Sequence, residues 1–321
     1  MSVYRLLIAS CVREGGISCY DMEESGRLTY RWKMPCEEPM YLCRSGNTLY
    51  ALLKRPFPDG DLSGLQAFSA GPDGELSPAG GIVSTRGVEA CHLSVFHGKV
   101  YAANYTSGSV FCSDGAMDVR TGRGVRPDRQ EAPHPHFIAP SPDGKYLLST
   151  DLGLDRVYTY DEKLRVVSVA RTPAGHGPRH LAYAEDGRTV FCANEIASTV
   201  TVFGYGDGVL TPRQTVSVFE TPHGDSTAAA IRVKGEYVYV SNRGYDSVSC
   251  FRFDGEKLTL RSVTPCGGVF PRDMILAGGL LLCANERSDT VTAFRADGER
   301  LERLPQTLSV PKPLCILARP V

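Results

Sequence analysis

The chain has 321 residues, 42% hydrophobic and 22% charged, which is ample apolar material for a large core. A formal net charge of −1 leaves no electrostatic footprint for nucleic acid or an anionic membrane, and no apolar run approaches the ~18 residues that cross a bilayer. The opening MSVYRLLIAS has no basic stretch followed by a long apolar one, so the sequence reads as cytoplasmic, without a secretory signal.

The eleven cysteines are odd in number, scattered, and never spaced as CxxC, which suits neither a disulfide framework nor a zinc site. Cys112, Cys192, Cys250 and Cys283 lie inside apolar, strand-like runs and read as reduced, buried thiols.

From the N-terminus, residues 6–10 lead to 17–20, and residues 49–53 lead to 65–68. Five closer copies follow: VYAANYTSGSV at 100–110, LLSTDLGLDRV at 147–157, VFCANEIASTV at 190–200, VYVSNRGYDSV at 238–248 and LLCANERSDTV at 281–291. Aligned on Ser10, Leu53, Asn104, Asp151, Asn194, Asn242 and Asn285, the seven copies step by 43, 51, 47, 43, 48 and 43 residues. A period of about 40–50 residues made of short strands marks a propeller. In the fifth copy the four strands are predicted at 180–184, 189–194, 199–203 and 214–219. Asp143-Gly144, Asp186-Gly187 and Asp254-Gly255 supply turns, and no amphipathic helix emerges. Residues 313–319 match the innermost strand that opens the other repeats, whereas the chain begins at the strand that should follow it. The two ends therefore complete one blade. The expectation is an all-β, seven-bladed propeller with four-stranded antiparallel blades, a single domain over 1–321, closed by terminal strands sharing a blade.

In such a blade the start of the first strand and the end of the second lie on the same face, beside the central channel. His92, His136, Arg179, His180 and Arg272 fall at first-strand starts; Asn104, Asp151, Asn194, Glu195, Asn242, Arg243, Asn285 and Glu286 fall at second-strand ends. Ionisable groups thus crowd one rim while the strand interiors are apolar. Arg179 and Glu195 are separated by one hairpin, and His136 with Asp151 repeats that spacing in the preceding blade. A rim salt bridge tying two strands is the plainer reading of such a pair, and the recurrent Asx residues also suit turn capping. Residues 115–131, with Arg120, Arg123, Arg126 and Arg129, read as a solvated connection or, less simply, as a lid. His97, His176 and His223 lack ligand-like companions, and Trp32 reads as packing.

The motifs His134-Pro-His136 with Ser141-Pro-Asp-Gly144 and Asp151-Leu-Gly, Gly177-Pro-Arg-His180 with Asn194-Glu195, Tyr239-Val-Ser-Asn-Arg-Gly244, and Phe270-Pro-Arg272 with Ala284-Asn285 stand in series. Together they resemble the bacterial 6-phosphogluconolactonase family, a seven-bladed lactonase propeller related to the carboxymuconate cyclases. The likeness runs along essentially the whole chain; Glu286 departs from it, replacing an uncharged amide. The resemblance implies an active site on one face with no metal and no organic cofactor. It places His136, Arg179, Glu195 and Arg243 at the catalytic centre. His134, Asp151, His180, Asn194, Asn242, Arg272 and Asn285 are then the candidate substrate-binding residues.

Lactone hydrolysis needs a base for water, a donor for the oxyanion and an anchor for the substrate's anionic group. Glu195 or His136 could serve as base, and Arg179 and Arg243 suit bidentate phosphate or carboxylate binding. Without a Gly-x-Ser-x-Gly elbow, a serine acyl-enzyme is not indicated. The implied function is hydrolysis of a small anionic sugar lactone. The alternatives are a carboxymuconate-cyclase-like lactonizing enzyme and a non-catalytic propeller that binds a ligand or protein on the same face. The expected partner is the small anionic lactone, with no nucleic acid or membrane, in a monomer or weak homo-oligomer.

Overall fold

Alternating β-branched and aromatic residues turn into strands along the entire chain of the computed structural model, which describes residues 2–221 and 223–321. No helix occurs among the described residues. The strands form seven antiparallel sheets, one per predicted repeat. Blades 3 to 7 run in sequence order from Ala90–Phe96, Pro135–Pro140, Pro178–Tyr183, Thr227–Lys234 and Pro271–Ala277, their innermost strands.

Ring closure follows the expectation. The last strand, Pro313–Pro320, pairs antiparallel with the first, Ser2–Ser10, in the register Leu6 to Ala318 and Ile8 to Ile316. It supplies the innermost strand of blade 1 and covers the edge that Ser2–Ser10 would otherwise expose.

Two details differ from the sequence reading. In blade 5 the outer strand is Val209–Ser217 rather than 214–219, because the third strand, Thr199–Gly206, reverses at once through Asp207 and Gly208. Both turn residues have positive φ, 44° and 79°, the geometry of a two-residue Asp-Gly hairpin. In blade 2 the outer strand is split: Leu76–Pro78 and Val83–Val88 both pair with Leu62–Ala70, making a five-stranded sheet.

Seven apolar clusters fill the seven gaps between neighbouring blades. Between blades 5 and 6, for example, Phe191, Val200 and Val202 meet Val238, Val240 and Phe251. The apolar side chains of the inner strands are buried between neighbouring sheets, so hydrophobic burial itself holds the ring shut. Cys112, Cys192, Cys250 and Cys283 are buried, and all eleven thiols are free. Burial raises those four thiols above their ordinary range, away from the reactive thiolate.

Candidate active site

The rim is aimed by a repeated irregularity. In six of the seven blades the second residue of the innermost strand is skipped in the pairing with its neighbour, a one-residue β-bulge. In blade 5, Pro178 pairs with Asn194 and His180 with Ala193, leaving Arg179 between them. The skipped residues are Leu314, Met40, Cys91, His136, Arg179 and Arg272, and each lines the channel mouth or the small cavity beneath it. Blade 6 differs: its irregularity lies deeper, where Ala229 and Ala230 stand against Ser241. A bulge bends its strand and re-aims a side chain, which here turns a ladder residue toward the channel.

The other half of the rim is the residue just past the second strand or at its end. Cys11, Lys54, Tyr105, Glu195, Arg243 and Glu286, from six different blades, all line one pocket of about 550 Å³. Six cations face it, Lys54, Arg129, Arg243, Arg272, Arg287 and Lys312, against the carboxylates Glu89, Glu195, Asp225 and Glu286. The balance is positive, as an anionic ligand requires.

Glu195 is the hub. Arg129 Nη2 donates to its Oε1 at 2.5 Å, and Arg243 Nη2 lies 2.7 Å from its Oε2. Arg179 Nε is 3.0 Å from the same Oε2, but its N–H is not aimed at it, so this contact is an ion pair without a hydrogen bond. Burial opposes the Glu195 charge, yet the guanidinium groups of Arg243, Arg179 and Arg129 outweigh it and hold the carboxyl well below its usual range. Burial, then the Arg179 guanidinium, keeps the His136 imidazole well below its ordinary value and therefore neutral at pH 7. The Nδ1 of His136 and Nη1 of Arg179 are buried without a protein partner.

His136, Glu195, Arg243 and Arg272 thus share one wall, with Arg179 directly below. Arg272 Nη1 donates to Glu286 at 3.2 Å, so the residue that departs from the family pattern neutralises a rim arginine. His180 sits lower, lining the small cavity with Arg179; neither ring nitrogen has a protein partner.

The remaining sequence candidates do not reach the pocket. Asp151 Oδ1 accepts the backbone N–H of His134 and Leu154, while its Oδ2 accepts Arg120 Nη1 at 2.9 Å. It aligns with Asn194 rather than Glu195, so the His136–Asp151 pair does not repeat the Arg179–Glu195 arrangement. Asn194, Asn242 and Asn285 are fully buried; their side-chain amides donate to Thr199 and Thr201, Ser247 and Ser249, Thr290 and Thr292 on the adjoining strand. These residues tie adjoining strands, where the sequence reading offered turn capping. His134 stacks on Tyr105 at 4.4 Å and bonds the Tyr105 carbonyl and Glu131, which fixes a pocket residue from behind.

Sequence reasoning passed over Tyr105, Lys54, Arg287 and Lys312, and it read Arg129 only as part of a solvated connection or lid. Tyr105 and Lys54 had a usable signal, since they follow the repeat's second strand just as Glu195 does. Arg120, from the same loop as Arg129, is buried against Tyr160 and Asp151 and is structural. Among the described residues no three His, Cys, Asp or Glu side chains gather as a metal-binding set.

Comparison with known proteins identifies the family of this fold. The profile of the family described as lactonase, 7-bladed beta-propeller, matches residues 5–318. An uncharacterized protein of Staphylococcus aureus (strain USA300) is 31% identical over 271 residues, 77% of this chain and 78% of that one. A Bacteroides fragilis crystal structure, provisionally named a 6-phosphogluconolactonase, superposes with a TM-score of 0.89 at 28% identity, covering 99% of this chain and 98% of its own. The periplasmic gluconolactonase of Pseudomonas aeruginosa superposes with a TM-score of 0.87 at 26% identity, covering 99% of each chain. A profile matched from blade 1 to the closing strand leaves no blade outside the likeness, and the chain belongs to the seven-bladed β-propeller lactonase family.

Proposed function

We propose that the protein is a cytoplasmic hydrolase of a small anionic sugar lactone, of the 6-phosphogluconolactone kind. The observation that carries this reading is Glu195 held among three guanidinium groups in a positively balanced pocket beside a neutral His136. Free thiols throughout the chain support the compartment.

In the proposed reaction, Glu195 takes a proton from water as the water oxygen bonds to the lactone carbonyl carbon. The resulting oxyanion is stabilised by the Arg179 guanidinium and by a hydrogen bond from neutral His136. Collapse of the intermediate breaks the ring C–O bond, and the proton held by Glu195 passes to the departing ring oxygen. The product is the open-chain hydroxy acid. His136, kept neutral at pH 7 by burial and then by Arg179, is the second candidate for the base.

The test is hydrolysis of δ-gluconolactone and its 6-phosphate by the purified protein, against the spontaneous rate. Rate enhancement on the phosphorylated lactone, with inhibition by added sulfate or phosphate, is the expected result. Hydrolysis of neither lactone above background refutes it.

A further inference from the structure

The three arginines on Glu195 are not equivalent. Arg179 and Arg243 stand on blade strands, and their side chains are 2% and 6% exposed. Arg129 comes from the connection between blades 3 and 4, is 35% exposed, and alone holds Oε1. The connection does not depend on that contact for its shape. Gln130 is fully buried; its side chain donates to the Leu152 carbonyl at 2.8 Å and accepts the backbone N–H of Val125 and Arg126, both at 3.1 Å. Gly124 passes so close that a Cβ there would lie 2.5 Å from Gln130 Oε1 and 2.7 Å from the Gly153 carbonyl. The backbone beside Arg129 is therefore pinned while its side chain reaches into the pocket mouth, next to Tyr105.

Resting on the lactonase reading above, we infer that Arg129 is a positioning residue that gates Glu195. It neutralises the carboxylate in the free enzyme and moves to the anionic group of an incoming substrate, releasing Glu195 to accept the proton of water. A carboxylate shared among three cations is a poor base, whereas one freed of its exposed partner regains proton affinity only when the correct substrate is present. The other charged or titratable groups facing Glu195 are Arg179 from blade 5, Arg243 from blade 6, His136 from blade 4, Arg272 from blade 7, and Tyr105 and Cys91 from blade 3. All stand on blade strands or directly at their ends, and most are buried, so Arg129 is the cation with both a partner to leave and room to leave it.

The experiment compares Arg129→Ala and Arg129→Lys with wild type in kcat/KM across pH, on uncharged δ-gluconolactone and on its 6-phosphate. On the phosphorylated lactone Arg129→Ala should lose about 10- to 150-fold, mainly through KM. On the uncharged lactone, which cannot draw Arg129 away, removing Arg129 frees Glu195, and kcat/KM should rise. The acid limb of kcat/KM, which reports the base in the free enzyme, should move up by about 1–3 pH units in Arg129→Ala and return in Arg129→Lys. Equal losses on both lactones with an unmoved acid limb overturn the gate. Absence of any lactonase activity in wild type is a failure of the functional reading instead, and the gate is then decided by calorimetry with 6-phosphogluconate. Glu195→Gln, which releases Arg129, should bind that anion at least about 10-fold tighter than wild type, and the gain should shrink when Arg129→Ala is added. An undiminished gain, or none, overturns the gate.

Discussion

Two adjacent positions at the end of the second strand behave in opposite ways. The first is Asn104, Asp151, Asn194, Asn242 and Asn285 in blades 3 to 7, always fully buried and always spent on hydrogen bonds within the framework, to the adjoining strand or, for Asp151, to Arg120 and two backbone N–H groups. The second is Tyr105, Leu152, Glu195, Arg243 and Glu286, different in each blade, and four of those five line the pocket. One residue of separation moves a side chain from between two strands to the channel mouth. What repeats along the chain builds the ring, and what departs from the repeat builds the site.

Substitutions at these neighbouring positions should separate the two roles. The largest effect is expected from Glu195→Gln, which keeps the shape of the hub while removing its negative charge. Turnover should fall about 10²–10⁴-fold while the bound anion is retained. Wild-type turnover in this variant would remove Glu195 as the base and make His136→Ala decisive.

Asp151→Ala probes the structural position where it carries charge. It leaves the Arg120 guanidinium, 3% exposed, without its closest buried carboxylate. Urea denaturation should report a loss of about 3–5 kcal/mol. Folded protein should turn over within a few-fold of wild type, and a pocket-specific loss without destabilisation would contradict the separation.

The pair Asn242→Ala and Arg243→Ala sharpens it within one blade. Asn242→Ala removes two buried hydrogen bonds, to Ser247 and Ser249, and should cost about 1–3 kcal/mol of stability with catalysis intact. Arg243→Ala should weaken anion binding by about 10- to 150-fold. Interchanged outcomes would mean that the two positions are not divided as described.

The most gradual effect concerns acid stability, since it accrues pH unit by pH unit. His92, His136 and His180 are buried and held below their ordinary range by burial, with Arg179 adding to each and Arg232 to His92 and His180. Because their folded values are depressed, the folded state binds fewer protons than the unfolded one. Their contribution is complete above about pH 6.5 and is lost as pH falls from there toward the folded values, about 3 for His92. His180→Leu removes a ring whose nitrogens have no protein partner, so its unfolding free energy should fall less steeply with acid. The difference should approach about 1.4 kcal/mol per pH unit, measured by urea midpoints between pH 6.5 and 4. An unchanged slope would mean that His180 does not titrate on unfolding.

The amino-acid sequence by itself determined the strands, the seven blades and the shared terminal blade. Alternation and Asp-Gly turns are local, and a blade that cannot bury its faces alone must repeat until the ring closes. It also placed His136, Arg179, Glu195, Arg243 and Arg272 on one rim, because strand starts and ends are countable. It did not reveal the bulges that turn His136, Arg179 and Arg272 toward the channel, since a skipped pairing depends on both strands of a hairpin. Nor did it distinguish Arg120 from Arg129, two arginines nine positions apart in one connection. Only the tertiary structure decided that Arg120 is consumed by Asp151 and Tyr160 while Arg129 reaches Glu195, 66 residues away. The reason is physical: where a loop side chain goes depends on which buried groups already have partners, and that is settled only when the blades meet.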